Sequence, residues 1–509
     1  MEWRWWVESH EAIYLLGPHR LADPSFLARD LTWSVLSPTT FVYDHLLAPL
    51  WGPLGDFGIV AAGRIACWAF TAWSLAALTG ALALPAWSVG VGYAFWMLAG
   101  QRLFFCGSPL EGFQPKAFAY PFLFFGLADA VRGRHVRAGL HSGLATVLHV
   151  VVGGWGFLGL LGALLLSRVP FRRIAGFVAA AAPFVLGMAV VLRGLQRGTP
   201  AELAAMDRLY VTMAAPHCCD PAAFLAVPDL LFAAGVFVTA PALILRWKRA
   251  EGGRIAGHFL IALELFFVLG LAARPLEAFG VLKLYPFQLA NALPAMLLAM
   301  LLPAWLPLLG ASRGSARFTW ALGLALALVA GAGKDVAGEV AAIPRRLARR
   351  VPAPNHSFHY GNRAVPLPLY EWIRRETPHD AVFVTPYLSE FWVCAERAQV
   401  ASLRHPPFDR RLLEWNRRLR ALNRDEPFTG QGLEITPDLS ANEGRLSAAE
   451  LTALRDSCGA THYIADTSRE DLAELELHAY GGYHVYDLAR LGASGPAAAG
   501  PAHDQRNGR

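Results

Sequence analysis

The sequence predicts a polytopic α-helical membrane protein of about ten hydrophobic helices, some short or broken, followed by a small α/β domain on the extracytoplasmic side. Three observations carry this reading. Of 509 residues, 55% are hydrophobic and only 17% are charged, against about 25% charged in ordinary soluble domains. The deficit is local, because residues 57–333 form one series of apolar blocks. From residue 335 onward the composition is that of a globular chain ending in a polar tail.

A bilayer core about 30 Å thick needs about 20 apolar residues in a helix. Spans are expected at 57–82, 86–105, 115–131, 138–150, 153–168, 171–193, 227–245, 255–273, 284–309 and 316–333. The pair 138–150 and 153–168 is short, and Gly153-Gly154 reads as a break between them. Irregular backbone at membrane depth is tolerated where it is buried in protein or lines a cavity.

The connections alternate in charge. Arg132, Arg134 and Arg137; Arg168, Arg172 and Arg173; Arg246, Lys248, Arg249 and Arg254; and Arg313 and Arg317 make twelve cations in four short loops, against one acid, Glu251. The positive-inside rule makes these loops cytoplasmic. Residues 1–56, the loops 106–114 and 194–226, the segment 274–283 and the C-terminal domain then lie outside. A 56-residue outer segment with no span ahead of it leads to the expectation of a missing first span.

The expected organisation is a first extracytoplasmic loop with juxtamembrane helices (1–56), a transmembrane helical domain (57–333), an amphipathic helix and linker (334–368), a small α/β domain (369–492) and a disordered tail (493–509). In the α/β domain, helices are expected at 369–376, 410–422 and 447–458, the last opened by the capping pattern Ser447-Ala-Ala-Glu450. Strands are expected at 381–385, 399–402, 461–465 and 483–488. Cys394 and Cys458 either pair in an oxidising compartment or stay buried thiols.

The net charge of +6 reflects arginine at membrane edges. There is no basic stripe interleaved with aromatics, which argues against a nucleic-acid partner. Six cysteines without a CxxC spacing do not make a disulfide scaffold. The tail domain shows neither a glycine-rich phosphate loop nor a nucleophile elbow, so binding is expected of it rather than chemistry of its own.

Chemistry is sought in the outer segments. Asp30, in Leu21-Ala-Asp23-Pro-Ser-Phe-Leu-Ala-Arg-Asp30-Leu-Thr-Trp33, suits a general base that deprotonates an acceptor hydroxyl as a sugar leaves a lipid phosphate. The plainer alternative is a surface carboxylate or helix cap. Glu111 and Lys116 mark the outer edge of a span, where Lys116 either meets a lipid phosphate or snorkels. His149 in Leu148-His-Val-Val-Val-Gly153 either faces a cavity or is a satisfied core histidine. Pro216-His217-Cys-Cys-Asp220 is too tightly spaced to be a tetrahedral zinc site by itself; metal binding with help from elsewhere, substrate contact and plain loop structure all stay open. Glu264, inside an apolar helix, needs a partner, and Arg64 is the candidate. Lys283 in Lys283-Leu-Tyr-Pro-Phe-Gln288 is a further phosphate contact.

The combined pattern resembles the GT-C superfamily of integral-membrane glycosyltransferases, and more narrowly a bacterial group of GT-C-like membrane proteins with a small α/β tail domain. The matching elements are the outer acidic loop with Leu21-Ala-Asp-Pro and Asp30, Thr377-Pro378-His-Asp380-Ala381 with Pro386, Glu396-Arg397, and Leu413-Glu414-Trp415-Asn-Arg417-Arg418. The group's Pro-His-His element stands here as Pro216-His217-Cys218, and its His-Pro-x-x-Gly as His149-Val-Val-Val-Gly153. The resemblance implies an inner-membrane, multi-pass enzyme that transfers a sugar from a polyprenyl-phosphate donor to an extracytoplasmic glycan, lipid or protein acceptor.

By the same resemblance Asp30 is the catalytic base and Asp23 the second choice. Asp23, Glu111, Lys116, His149, His217, Asp220 and Lys283 are the expected substrate-binding residues. Some members of the superfamily use a divalent metal, so a metal cofactor is left open. Two other readings stand beside it: a non-catalytic envelope-assembly scaffold, and a transporter or flippase, which would call for paired halves with matching broken helices.

Overall fold

The computed structural model describes residues 9–99, 101, 103, 112–195, 197–247, 251–309, 367–385, 391–403 and 405–491. The chain divides into two compact units. One comprises Met1–Pro24, Leu36–Arg363 and Pro407–Leu413, and the other Ser25–Val35, Ala364–Pro406 and Glu414–Arg509. The expected span 316–333, the amphipathic stretch 335–350 and the tail 493–509 lie outside the described residues.

The first unit is helical. Its elements are α1 (Ser9–Ala22), α2 (Phe41–Leu47), α3 (Trp51–Ala81), α4 (Ala86–Leu98), α5 (Pro115–Val131), α6 (His135–Leu148), α7 (Val150–Leu166), α8 (Phe171–Leu195), α9 (Pro200–Leu209), the single turns α10 (Pro216–Cys219) and α11 (Pro221–Phe224), α12 (Val227–Trp247), α13 (Glu251–Ala273), the turn α14 (Phe279–Leu282) and α15 (Gln288–Leu309). Apolar sequence takes this form because a helix satisfies its own backbone groups. Among the described residues, five helices, at Phe41–Ala81, Phe171–Leu195, Asp229–Trp247, Glu251–Ala273 and Gln288–Trp305, are long and apolar enough to cross a membrane; Ala86–Leu98 and Val150–Leu166 are shorter apolar helices. Several such helices in one chain are compatible with a multi-pass membrane protein.

Four expectations need correction. The break near Gly153-Gly154 sits instead at His149, whose extended backbone (φ −153°, ψ 101°) separates α6 from α7. Its Nδ1 accepts a hydrogen bond from the Val152 N–H at 3.2 Å and caps α7. Gly153 lies inside α7, where a Cβ would come within 2.1 Å of the Thr146 backbone nitrogen, so it marks a close helix approach. The helix expected over 284–309 starts only at Gln288, because Tyr285 precedes Pro286 and adopts φ 55°. The helix expected over 86–105 ends at Leu98, and Gln101 follows at φ 63°.

The fourth correction concerns Arg64. It pairs with Glu11 of α1, not with Glu264. Arg64 Nε donates to Glu11 Oε1 at 2.8 Å, its second guanidinium nitrogen meets Oε2, and the Phe113 N–H donates to Oε1 at 2.6 Å. Gly112, at φ 72°, stands where any Cβ would strike the Glu11 carboxylate at 2.7 Å. One carboxylate thus joins α1, α3 and the entry to α5. Glu264 Oε1 is buried without a hydrogen-bond partner.

The second unit is built on a five-stranded sheet of order β2-β1-β3-β5-β4, with β1 Val382–Val384, β2 Ala398–Gln399, β3 His462–Ala465, β4 Glu476–Tyr480 and β5 Tyr483–Asp487. β1 pairs parallel with β2 and β3; β5 pairs antiparallel with β3 and β4. Gly481 and Gly482, both at positive φ, close the β4–β5 hairpin. The expected list of strands omits β4. It is an edge strand with mostly exposed side chains, so it has no buried face to print an alternating pattern.

The expected helices of this unit form as α16 (Leu367–Glu376), α18 (Arg411–Leu422) and α20 (Ala448–Cys458), joined by α17 (Phe391–Cys394) and α19 (Thr436–Glu443). α20 opens on the full Ser447/Glu450 capping box and closes on Gly459 in the left-handed conformation. Trp392, Trp415, Phe383, Tyr463, Ile464 and Tyr486 are buried in the core. Cys67, Cys219 and Cys458 are free thiols.

Two stability predictions follow from these buried charges. Arg64→Ala strips the buried Glu11 carboxylate of its counter-ion and should cost about 3–5 kcal/mol; thermal unfolding in detergent, compared with the Glu11→Gln/Arg64→Met pair, measures it. In the second unit, burial raises the Glu443 carboxyl well above the ordinary carboxylate range, with Asp466 adding to the shift. A raised acid disfavours the ionised folded form, so this residue's contribution falls as pH climbs through its folded pKa. Melting of Glu443→Gln should therefore decline less with rising pH than melting of the parent.

Candidate functional site

Asp30 belongs to the second unit, as part of Ser25–Val35. It is only 1% exposed. Its Oδ1 accepts from the Thr32 and Trp33 backbone N–H groups at 2.8 and 3.2 Å; its Oδ2 accepts from Trp392 Nε1 at 2.7 Å and the Gln399 N–H at 3.0 Å. Burial pushes the carboxyl up, and these four donors oppose that shift. Trp33 adds an edge-on contact with Trp392 and stacks on His405. Arg29 next door reaches Asp380 and the Gly459 carbonyl. Both oxygens are thus committed to holding this segment against β2 and α17. That geometry makes a structural anchor; a general base needs an oxygen with access to substrate.

The tail residues that carry the resemblance also build the fold. Arg397 is buried, and its guanidinium donates to the Thr377 hydroxyl and to the carbonyls of Arg374, Thr377 and Glu396 at 2.7–3.1 Å. It satisfies the carbonyls at the end of α16. Trp415 Nε1 donates to the Ser402 carbonyl at 2.8 Å, and Arg418 reaches the Val400 carbonyl while pairing with Glu414. Pro386 lies outside the described residues.

In the helical unit, three of the expected substrate residues fall in one neighbourhood, where residues 200–221 meet the connection between α13 and α15. Lys283 Nζ donates to Asp207 Oδ1 of α9 at 3.0 Å and lies 5.5 Å from the Tyr210 ring centroid. The Tyr210 and Tyr285 hydroxyls hydrogen-bond to each other. Asp220 Oδ1 accepts from Arg274 Nε at 2.8 Å and from the Ala222 N–H at 3.0 Å. Arg274 and Arg208 each approach the Phe279 ring within 6 Å. Cys219 lies between Asp220 and His217-Cys218 in sequence and within electrostatic reach of Lys283 and Tyr285.

Burial raises the Tyr210 and Tyr285 hydroxyls and the Cys219 thiol well above their ordinary values. Tyr14 of α1 is pushed up to about 12 by burial and by the Cys218 thiol. The site therefore offers neutral hydroxyl donors beside two cations, each held by a carboxylate. Asp207 and Lys283 keep partial exposure, at 22% and 13% of their side chains, so solvent and ligand can reach them.

The other expected residues are dispersed. Lys116 opens α5 and acts electrostatically on His149, the cap of α7. Asp23 ends the turn after α1 and donates its N–H to the His19 carbonyl at 2.8 Å. Glu111 lies outside the described residues. Among the described residues no group of three or more His, Cys, Asp or Glu side chains is placed to hold a metal ion. Sequence reasoning missed Asp207, Tyr210, Arg274 and Tyr285. Only Tyr285 carried a local signal, through its neighbours Lys283 and Pro286.

Replacing Asp30 by Asn removes a charged acceptor and turns an amide toward N–H donors. Hydrogen bonds to a charged group contribute about 1.5–3 kcal/mol each, so Asp30→Asn should lower stability by at least about 2 kcal/mol. Faster amide exchange at Thr32, Trp33 and Gln399 in the full chain is the readout.

Residues 367–422, which run from α16 to the end of α18, match a family described as a domain of unknown function (DUF6798). No curated protein matches the chain. The matched segment is a small part of the chain and contains the Arg397 and Trp415 networks described above.

Proposed function

We propose that the chain is a multi-pass membrane transferase of the GT-C kind. It takes a sugar from a polyprenyl-phosphate donor and passes it to an extracytoplasmic acceptor hydroxyl at the Lys283 end of the helical unit. The observation that carries this reading is the Lys283–Asp207 pair beside the Tyr210–Tyr285 hydroxyls. It sets a partly exposed cation, a partly exposed carboxylate and neutral donors together at the end of apolar helices.

A phosphate is a strong charge-assisted partner for an ammonium group. When the donor phosphate engages Lys283, Asp207 is released from its ion pair. It then removes the acceptor proton as the acceptor oxygen bonds to the anomeric carbon. The bond from that carbon to the phosphate oxygen breaks, and the phosphate leaves with the electron pair. Lys283 and the tyrosine hydroxyls stabilise the departing charge. In this reading Asp207 takes the role that the sequence pattern suggested for Asp30.

A non-catalytic assembly scaffold is the second reading. It is favoured by the closed pairing of Lys283 with Asp207 and of Arg274 with Asp220. One assay separates the two. Full-length protein in lipid nanodiscs is given labelled polyprenyl-phosphate glucose, mannose or arabinose together with an envelope glycan and lipid fraction. The transferase reading expects label in the acceptor, with Asp207→Asn slower by about 10²–10⁴-fold, the range typical of losing a general base. Unchanged transfer by Asp207→Asn would rule out its role as base, and no transfer by the parent from any of the three donors would favour the scaffold.

A further inference from the structure

We propose a second anion site in the helical unit, one that binds a phosphate ester group among the arginine-rich connections. It lies about 34 Å from the Lys283 neighbourhood, because Glu251 and Ala273 are the two ends of the 23-residue α13, which rises about 1.5 Å per residue. It is independent of the transferase reading.

The site is a cavity of about 600 Å³, lined by Arg132, His135, Val136, Arg172, Arg173 and Glu251 among others. Its walls are helix ends. His135 and Val136 begin α6, Arg172 and Arg173 lie in the first turn of α8, and Glu251 begins α13. The N-terminal ends of three helices, each longer than eight residues, therefore meet at one cavity. Each carries the partial positive charge of a helix N-terminus, a standard setting for an anion. Arg132 fixes one nitrogen on the Ala77 carbonyl at 2.7 Å, and Arg173 makes a long 3.7 Å contact with Glu251.

His135 is the independent pointer to a ligand. It is 4% exposed, yet neither ring nitrogen has a hydrogen-bond partner. Burying an unpaired polar group costs about 1–3 kcal/mol, and a phosphate oxygen in the cavity would accept from its N–H. Guanidinium forks match phosphate oxygens two at a time. Next to these groups the first-turn side chains Val136 and Phe171 are 60% and 82% exposed, which suits the acyl chains of a lipid whose headgroup fills the cavity. A soluble phosphate ester shares the headgroup chemistry and lacks those chains.

The test uses the full chain in a maltoside detergent, which carries no phosphate. Phosphatidylglycerol in mixed micelles, phosphatidylcholine and inorganic phosphate are titrated separately, with native mass spectrometry and thermal melting as readouts. Saturable binding is expected, weakened about tenfold or more by Arg172→Gln/Arg173→Gln, whose side chains are exposed and so spare the fold, and by His135→Phe. Arg168→Gln removes an exposed arginine that does not line the cavity and should change little. Binding of phosphatidylglycerol alone assigns a lipid headgroup; binding of inorganic phosphate as well assigns the phosphate group itself, and soluble esters with it. Absence of saturable binding, or equal losses from Arg168→Gln and the Arg172/Arg173 variant, would overturn the site.

Discussion

Glu11 and Arg64 are each almost wholly buried, and each supplies the other's counter-charge there. Ion pairs in a low-dielectric interior add little net stability, but removing one partner leaves a buried charge without its counter-ion. The constraint propagates through the helical unit. It places α1 against α3, demands glycine at 112, and aligns the Phe113 N–H at the entry to α5. The helices that follow are packed by contacts of a different sort: the close approach at Gly153, and side-chain hydrogen bonds to backbone such as Ser88 to the Met300 carbonyl and the Leu103 N–H to Asn291. Among apolar helices such contacts, rather than a hydrophobic drive, select the neighbours.

The second unit repeats the logic with Asp30. A single carboxylate collects four N–H groups from three places in the sequence and so recruits an early segment, Ser25–Val35, into a late domain. Arg397 does the converse, supplying donors to carbonyls at the end of α16. Polar residues in sequence motifs are easily read as chemistry. In this unit their geometry shows them hydrogen-bonding to backbone groups.

The helical unit instead concentrates its accessible polar groups at helix ends. At one end Lys283, Asp207, Arg274 and Asp220 form carboxylate-held cations beside buried tyrosines. Around the arginine-rich connections, helix N-termini and arginines surround an unpartnered histidine. Both arrangements suit phosphate chemistry for the same electrostatic reason: cations and N–H dipoles fixed in a partly desolvated setting bind anions more strongly than they would in water.

The sequence by itself determined the apolar helices, the small α/β domain after them, and most helix boundaries to within a few residues. These follow from hydropathy, caps and prolines, which act over one or two turns. It also pointed to Lys283 and Asp220 through polar residues at the ends of apolar blocks. It did not determine partners. Arg64 was legible as a buried charge, but Glu11 lies fifty-three residues away, and no local period encodes that pairing. β4 was silent because an exposed edge strand needs no alternation. The fate of Asp30 was decided by Trp392 and Gln399, more than 360 positions downstream. Whether a carboxylate is a base or an anchor depends on which donors surround it, and only the tertiary structure brings those donors together.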